Sequence, residues 1–165
     1  MTRGVLLDAN LLCLLAVGRV DRTSIALHPR LRTFVGGDLE ALLAILEELG
    51  EPVLCPHVLA ETSNLLGYRQ SATQQRRWLR SLADLVRLAA ERTESAMRAV
   101  EDESFARLGM TDAVLLLLAN DGALTLVSDD LQLCLEAQRR GASTVNYNYI
   151  RDGALRIDQL RQDQR

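Results

Sequence analysis

Val5-Leu6-Leu7-Asp8-Ala9-Asn10 joins a short apolar run to a carboxylate and a small-residue turn. A run this apolar suits an interior parallel strand, which is buried on both faces. A carboxylate inside such a strand would be expensive to desolvate. Asp8 therefore belongs at the strand end, where donors or a cation can meet it. Two other runs follow the same plan. Val53-Leu54-Cys55 leads through Pro56 into a helical stretch carrying Glu61, and Leu124-Thr125-Leu126-Val127 leads into Ser128-Asp129-Asp130. Asp112 opens the most apolar helical segment of the chain. If the three runs are neighbouring parallel strands, their acids converge on one rim of one sheet, where open α/β sheets bind ligands.

Working outward, the pattern predicts a helix over Leu11–Val17 stopped by Gly18, then loop with a short helical piece around Leu31–Phe34. Asp38 is expected to cap a helix from Leu39 to Leu49, which Gly50 ends. Helices are expected from His57 to Leu66, from Ser71 to Ala90 and over Glu91–Glu103. Thr111 is expected to cap a further helix, Asp112–Asn120. A helix over Leu131–Arg140 closed by Gly141 and a last strand over Ser143–Tyr149 complete the series. Short strands separated by helices of this length need crossover connections, which makes the class α/β with a mostly parallel sheet. One domain over residues 1–158 and a loose tail over 159–165 are expected, with no interdomain linker and no repeat.

Composition narrows the function classes. The chain has 165 residues, is 48% hydrophobic and only 4% aromatic, so Leu, Val and Ala must fill the core. With 19 basic and 22 acidic residues it is no general polyanion binder, and nucleic-acid contact would need a local basic patch. Every basic residue is arginine; the absence of lysine excludes a Schiff base and a P-loop lysine. Cys13, Cys55 and Cys134 sit apart among apolar residues and read as buried thiols in a reducing compartment. No signal peptide and no stretch of membrane-spanning length is present, so a cytoplasmic location is expected.

Each acid has a structural reading of its own. Asp8 would serve as a helix cap, Glu61 as an exposed helical residue, and Asp112 as a favourable first-turn acid. Val58 and Leu65 lie on the same side of the helix as Glu61 and imply that it faces protein, not open water. Ser128-Asp129-Asp130 holds two acids where one would suffice as a cap. Gathered at one rim, these acids would repel one another and resist ionisation. A hard divalent cation such as Mg²⁺ or Mn²⁺ removes that conflict, because it takes oxygen ligands.

The ordered motifs Leu-Leu-Asp8-Ala-Asn10-Leu-Leu, Leu-Ala-Glu61-Thr-Ser-Asn-Leu-Leu, Gly-Met-Thr111-Asp112-Ala-Val-Leu-Leu and Leu-Val-Ser128-Asp129-Asp130-Leu resemble those of the PIN domain family of metal-dependent nucleases. The likeness spans residues 4 to about 149 and is greatest to bacterial members of the VapC toxin type. It implies a three-layer fold with a sheet of four to five strands between helices. It also implies hydrolysis of RNA phosphodiesters by water activated on Mg²⁺ or Mn²⁺. By resemblance Asp8, Glu61, Asp112 and Asp130 match the four acids, Asp129 stands between Ser128 and Asp130, and Asn10, Thr111 and Ser128 support them. Either Asp129 or Asp130 is free to face the metal, with Asp130 the better match. A homodimer and a cognate antitoxin are further implications. Residues 19–49 exceed what small toxins carry between the first two acids.

Arg69, Arg76, Arg77 and Arg80 form the densest basic stretch and are candidates for binding RNA phosphates. Trp78 among them either stacks a base or turns into the core. Tyr147 and Tyr149 would share a strand face. His57, four residues before Glu61, has a spacing that can turn it towards the rim, although neither it nor His28 has companions for a zinc site. Two other readings remain open: a catalytically silent PIN-like module that binds RNA or protein, and a haloacid-dehalogenase-like phosphohydrolase. Against the latter, Asn10 stands where a second Asp is usual and no lysine exists for the later motif.

Overall fold

A computed structural model describes residues 4–152. The elements in chain order are β1 (Gly4–Leu7), α1 (Ala9–Gly18), α2 (Thr23–Leu27), α3 (Gly36–Leu49), β2 (Pro52–Leu54), α4 (Pro56–Gly67) and α5 (Ala72–Leu88). They continue with β3 (Ala90–Glu91), α6 (Ala96–Glu101), α7 (Phe105–Leu108), α8 (Met110–Ala119), β4 (Leu124–Ser128), α9 (Leu131–Arg139) and β5 (Thr144–Asn146). A helical turn over 147–152 follows β5. The proposed tail, 159–165, lies outside the described residues.

The strands form one five-stranded sheet in the order β3-β2-β1-β4-β5, and every pairing is parallel. From β1 the chain winds outward through β2 to β3, then returns past β1 and winds the other way through β4 to β5. Right-handed crossovers running in opposite directions put their helices on opposite faces. Accordingly α1, α3, α4 and α5 pack among themselves, while α8 gathers α6, α7 and α9. The result is the expected three-layer α/β architecture. Its topological switch lies between the carboxyl ends of β1 and β4.

β1 pairs Val5 with Pro52 on one side and Leu7 with Val127 on the other, so Val5, Leu6 and Leu7 are all buried. In α1 every residue but Asn10 is buried, which is why its apolar pattern has no polar face. The segment 19–49 is part of the core, since Ile25, Leu31, Phe34, Leu39 and Leu42 are buried in it.

Several local expectations are corrected. The short helix in 19–37 is α2, not 31–34: Asp21 captures the Thr23 N–H at 2.9 Å and starts the helix there. Asp38 is not an N-cap. It lies in the first turn of α3, buried, where its carboxylate accepts the Val35 N–H at 2.6 Å. Gly18 does not end α1 through special backbone geometry. A Cβ there would come within 2.7 Å of the Leu39 side chain, so the glycine allows α3 to approach α1. The helix predicted over 91–103 is β3 followed by α6, which Ser95 caps through the Arg98 N–H. Thr111 does not cap α8. Gly109, at φ +87°, precedes that helix, and Thr111 lies inside it. The last strand ends at Asn146, whose side chain accepts the Asn148 N–H at 3.0 Å and turns the chain into a helix. Tyr147 and Tyr149 therefore share no strand face; Tyr147 is buried and Tyr149 exposed.

Candidate functional site

Asp8 stands one residue beyond β1, and Ser128-Asp129-Asp130 end β4 and cross to α9. Because β1 and β4 are adjacent and in register, these groups meet at the switch point. α4 and α8 pack against each other and bring Glu61 and Asp112 to the same place. All five acids line one cavity of about 110 Å³, together with Ala9, Asn10, Thr111, Ser128 and Leu133. No arginine or histidine lines it, in a chain with 19 basic residues.

Asp8 is the most constrained of the five. It caps α1 by accepting the Leu11 N–H at Oδ1, 2.8 Å away. Its Oδ2 accepts the Ser128 hydroxyl and the Asp129 N–H, the latter at 3.0 Å. Burial and then repulsion from Asp129 hold its carboxyl well above the ordinary range, even though these hydrogen bonds favour the ionised form. Asp112, on the first turn of α8, is pushed up to about 6 by burial, then by Asp130 and Glu61. Asp130 caps α9 through the Gln132 and Leu133 N–H groups at 2.7 and 3.2 Å. Asp129 instead has its Oδ1 3.3 Å from the Asn10 amide, which donates to it. Its carboxylate takes no part in capping, whereas one oxygen of Asp130 does.

Glu61 lines the cavity but is exposed, contrary to the expectation that it faces protein. The buried stripe of α4 is Val58, Thr62 and Leu66, and Glu61 stands at its edge. Thr62 points inward, with its hydroxyl 3.5 Å from the Ala9 carbonyl. His57 is not among the lining residues.

Among the described residues, no three His, Cys, Asp or Glu side chains are grouped as a single ion would need them. The caps explain why, since both Asp8 oxygens and one of Asp130 already accept protein donors. Mg²⁺, however, typically binds through one or two carboxylates and keeps several waters. The cavity has room for an ion with such a shell, and its donors are all oxygens. A larger cavity of about 320 Å³ lies beside the amino end of β2, lined by Leu15, Leu43, Leu46 and Leu85. It is mostly apolar and gathers no comparable set of acids, so size does not locate the chemistry here.

Of the basic candidates, Arg76, Arg77 and Arg80 are exposed along α5 and Arg69 follows α4; none lines the acidic cavity. Trp78 does not stack outward. It is buried edge-on against the His28 ring, with centroids 4.9 Å apart. The exposed aromatic beside these arginines is Tyr68, with the guanidinium carbons of Arg69 and Arg30 at 5.2 and 6.0 Å from its ring centroid. Tyr68-Arg69 was legible as an adjacent aromatic–basic pair, whereas Arg30 comes from a segment 38 residues earlier.

An open parallel sheet with an uncompensated acidic cavity at its switch point defines a class of α/β proteins suited to hard cations. Residues 37–135 match the family model described as PIN domain, more than half of the chain. The chain belongs to the PIN domain family. The matched stretch contains Glu61, Asp112, Asp129 and Asp130, while Asp8 joins them through the register of β1. No significant match was found among curated proteins or among solved structures. No helix among the described residues is long and apolar enough to cross a membrane.

Proposed function

We propose that this protein is a metal-dependent endoribonuclease acting at the cavity of Asp8, Glu61, Asp112, Asp129 and Asp130 with Mg²⁺ or Mn²⁺. One observation carries the reading: five carboxylates line a single cavity with no cationic side chain among them, in a member of the PIN domain family. Once bound, the ion would supply an acidified water and offset charge developing on the phosphodiester. Asp112, Glu61, Asp129 and the free oxygen of Asp130 would hold it, with Asp8 acting through its remaining lone pairs or through water. Ser128 orients Asp8, and Asn10 orients Asp129. The nearest functional type is the VapC-like toxin of a toxin–antitoxin pair, homodimeric and cytoplasmic. A neighbouring gene for a small DNA-binding protein would support the pairing.

The direct test is incubation of mixed single-stranded RNAs with Mg²⁺ or Mn²⁺. Cleavage is expected with either ion and none after chelation. A second reading, a silent RNA- or protein-binding module, draws support from the engagement of Asp8 and Asp130 as helix caps. RNA retention without cleavage in any divalent ion would establish it in place of the nuclease.

Substrate binding is assigned to the arginines of α5 and to Tyr68, Arg69 and Arg30, where a guanidinium can meet a phosphate and an aromatic ring a base. Replacing both Tyr68 and Arg69 with alanine should raise KM for RNA by roughly 5- to 30-fold, as loss of about 1–2 kcal/mol of stacking and ion contact implies. kcat should stay within about twofold, because these residues lie outside the acidic cavity. Steady-state kinetics on a single oligonucleotide checks both numbers.

A further inference from the structure

Asn148 makes two hydrogen bonds with different purposes. Its backbone N–H goes to the Asn146 side chain at 3.0 Å and starts the final helical turn. Its own amide nitrogen donates to the Asp129 carbonyl at 2.6 Å. The same residue is held from its other peptide group, since the Asp129 N–H donates to Asp8 at 3.0 Å. Asp129 is thus fixed at three points: its N–H by Asp8, its carbonyl by Asn148 and its carboxylate by Asn10. Asn148 is the side chain that holds the Asp129 carbonyl, while Asp8, Asn10 and the Ser128 hydroxyl engage the other groups of the crossing from β4 to α9.

The turn that presents Asn148 is itself anchored. Asn146 pairs with Ser128 in the sheet, which sets the turn level with the acidic crossing. Tyr147, fully buried, places its hydroxyl 2.6 Å from the Asp38 carbonyl and 3.1 Å from its Oδ1. Arg151 adds an ion pair to the same carboxylate at 3.6 Å. Asp38 belongs to α3, within the segment 19–49.

We propose that Asn148 is a positioning residue that fixes Asp129 for cation binding, and that segment 19–49 braces it through Tyr147 and Asp38. The inference rests on the metal-dependent reading above. Residues one shell out from an ion commonly alter its affinity by 10- to 100-fold when removed.

The test is Mn²⁺ titration of the full chain, following free ion by electron paramagnetic resonance, alongside circular dichroism. Asn148→Ala should weaken Mn²⁺ binding about 10-fold while remaining folded. Asn148→Gln, which keeps an amide donor, should stay within about threefold of wild type. With RNA as substrate, kcat should fall more than KM rises, because the substrate-binding arginines are untouched. Wild-type Mn²⁺ affinity in Asn148→Ala would overturn the proposal alone. If wild type takes up no Mn²⁺, the metal reading fails and this one with it. Should Asn148→Ala not fold, Asn148→Leu keeps the shape and removes the donor. Unfolding of both would make Asn148 a stability residue and overturn the proposal as well.

Discussion

Asp112→Asn should lower metal-dependent RNA cleavage by about 100-fold or more and, in the same protein without metal, raise stability at pH 7.5. The two effects have one source. Burial and repulsion from Asp130 and Glu61 raise the Asp112 carboxyl from 3.8 to about 6. The folded state therefore holds its proton more tightly than the unfolded chain does, and ionisation penalises the fold. That penalty is absent below pH 4, grows between pH 4 and 6, and is complete above 6. Asparagine cannot ionise and escapes it. With a discount for partial solvation, the gain is about 1–2 kcal/mol at pH 7.5 and near zero at pH 4. Thermal unfolding of both proteins in chelator at the two pH values checks the sign. A variant that loses stability at pH 7.5 would mean that Asp112 is held by donors and that its charge is no burden.

Arg140→Ala should be the most destabilising of these substitutions, by about 3 kcal/mol at pH 7, with a fall of roughly 6–12 °C in Tm. Arg140 grips Asp102 with two hydrogen bonds of 2.8 Å and reaches Glu136 through Nε at 2.8 Å. All three side chains are largely shielded from water. The Arg140 guanidinium holds Asp102 far below the usual carboxylate range, while Arg139 and Arg140 lower Glu136 to about 2. Removing Arg140 strands the sheltered Asp102 without a cation, while Glu136 keeps Arg107 and Arg139. Because both groups are depressed in the folded state, their contribution is present above the unfolded values, 3.8 and 4.5. It is lost as pH falls through the folded ones, so the gap between variant and wild type should narrow below pH 4. The effect should leave the acidic cavity intact, since the network ties α9 to the corner between α6 and α7.

The three central strands were legible because burial on both faces requires an unbroken apolar run, and β1, β2 and β4 each supply one. β3 was not, because Ala90 and Glu91 are exposed and join the sheet only through backbone pairing with Val53 and Leu54. Such an edge leaves no side-chain pattern to detect. Helix starts were misjudged where a neighbouring backbone geometry competes with a capping side chain. Gly109 at φ +87° displaces Thr111, and Asp38 bonds back from inside α3. At the acidic cavity, residue types and order located all five lining acids, yet not their division of labour. That Asp8 and Asp130 serve as caps while Asp129 meets Asn10 depends on side-chain directions that spacing leaves open. The Asn146-Tyr147-Asn148 alternation suggested a strand, although asparagine disfavours strands and prefers caps, and that preference prevailed.

The middle position of β1 bears on when the cavity can exist. Its pairing partners lie 47 and 120 residues further along, Val5 with Pro52 and Gly4 with Leu124. A polypeptide leaving the ribosome therefore carries Asp8 and Glu61 well before β4 emerges to seat them together, and Asp112 12 residues before Leu124. Contacts this distant in sequence close slowly and late. Until β4 and the crossing to α9 are free to fold, the growing chain has acids but no pocket, so the cavity closes only when most of the chain is available.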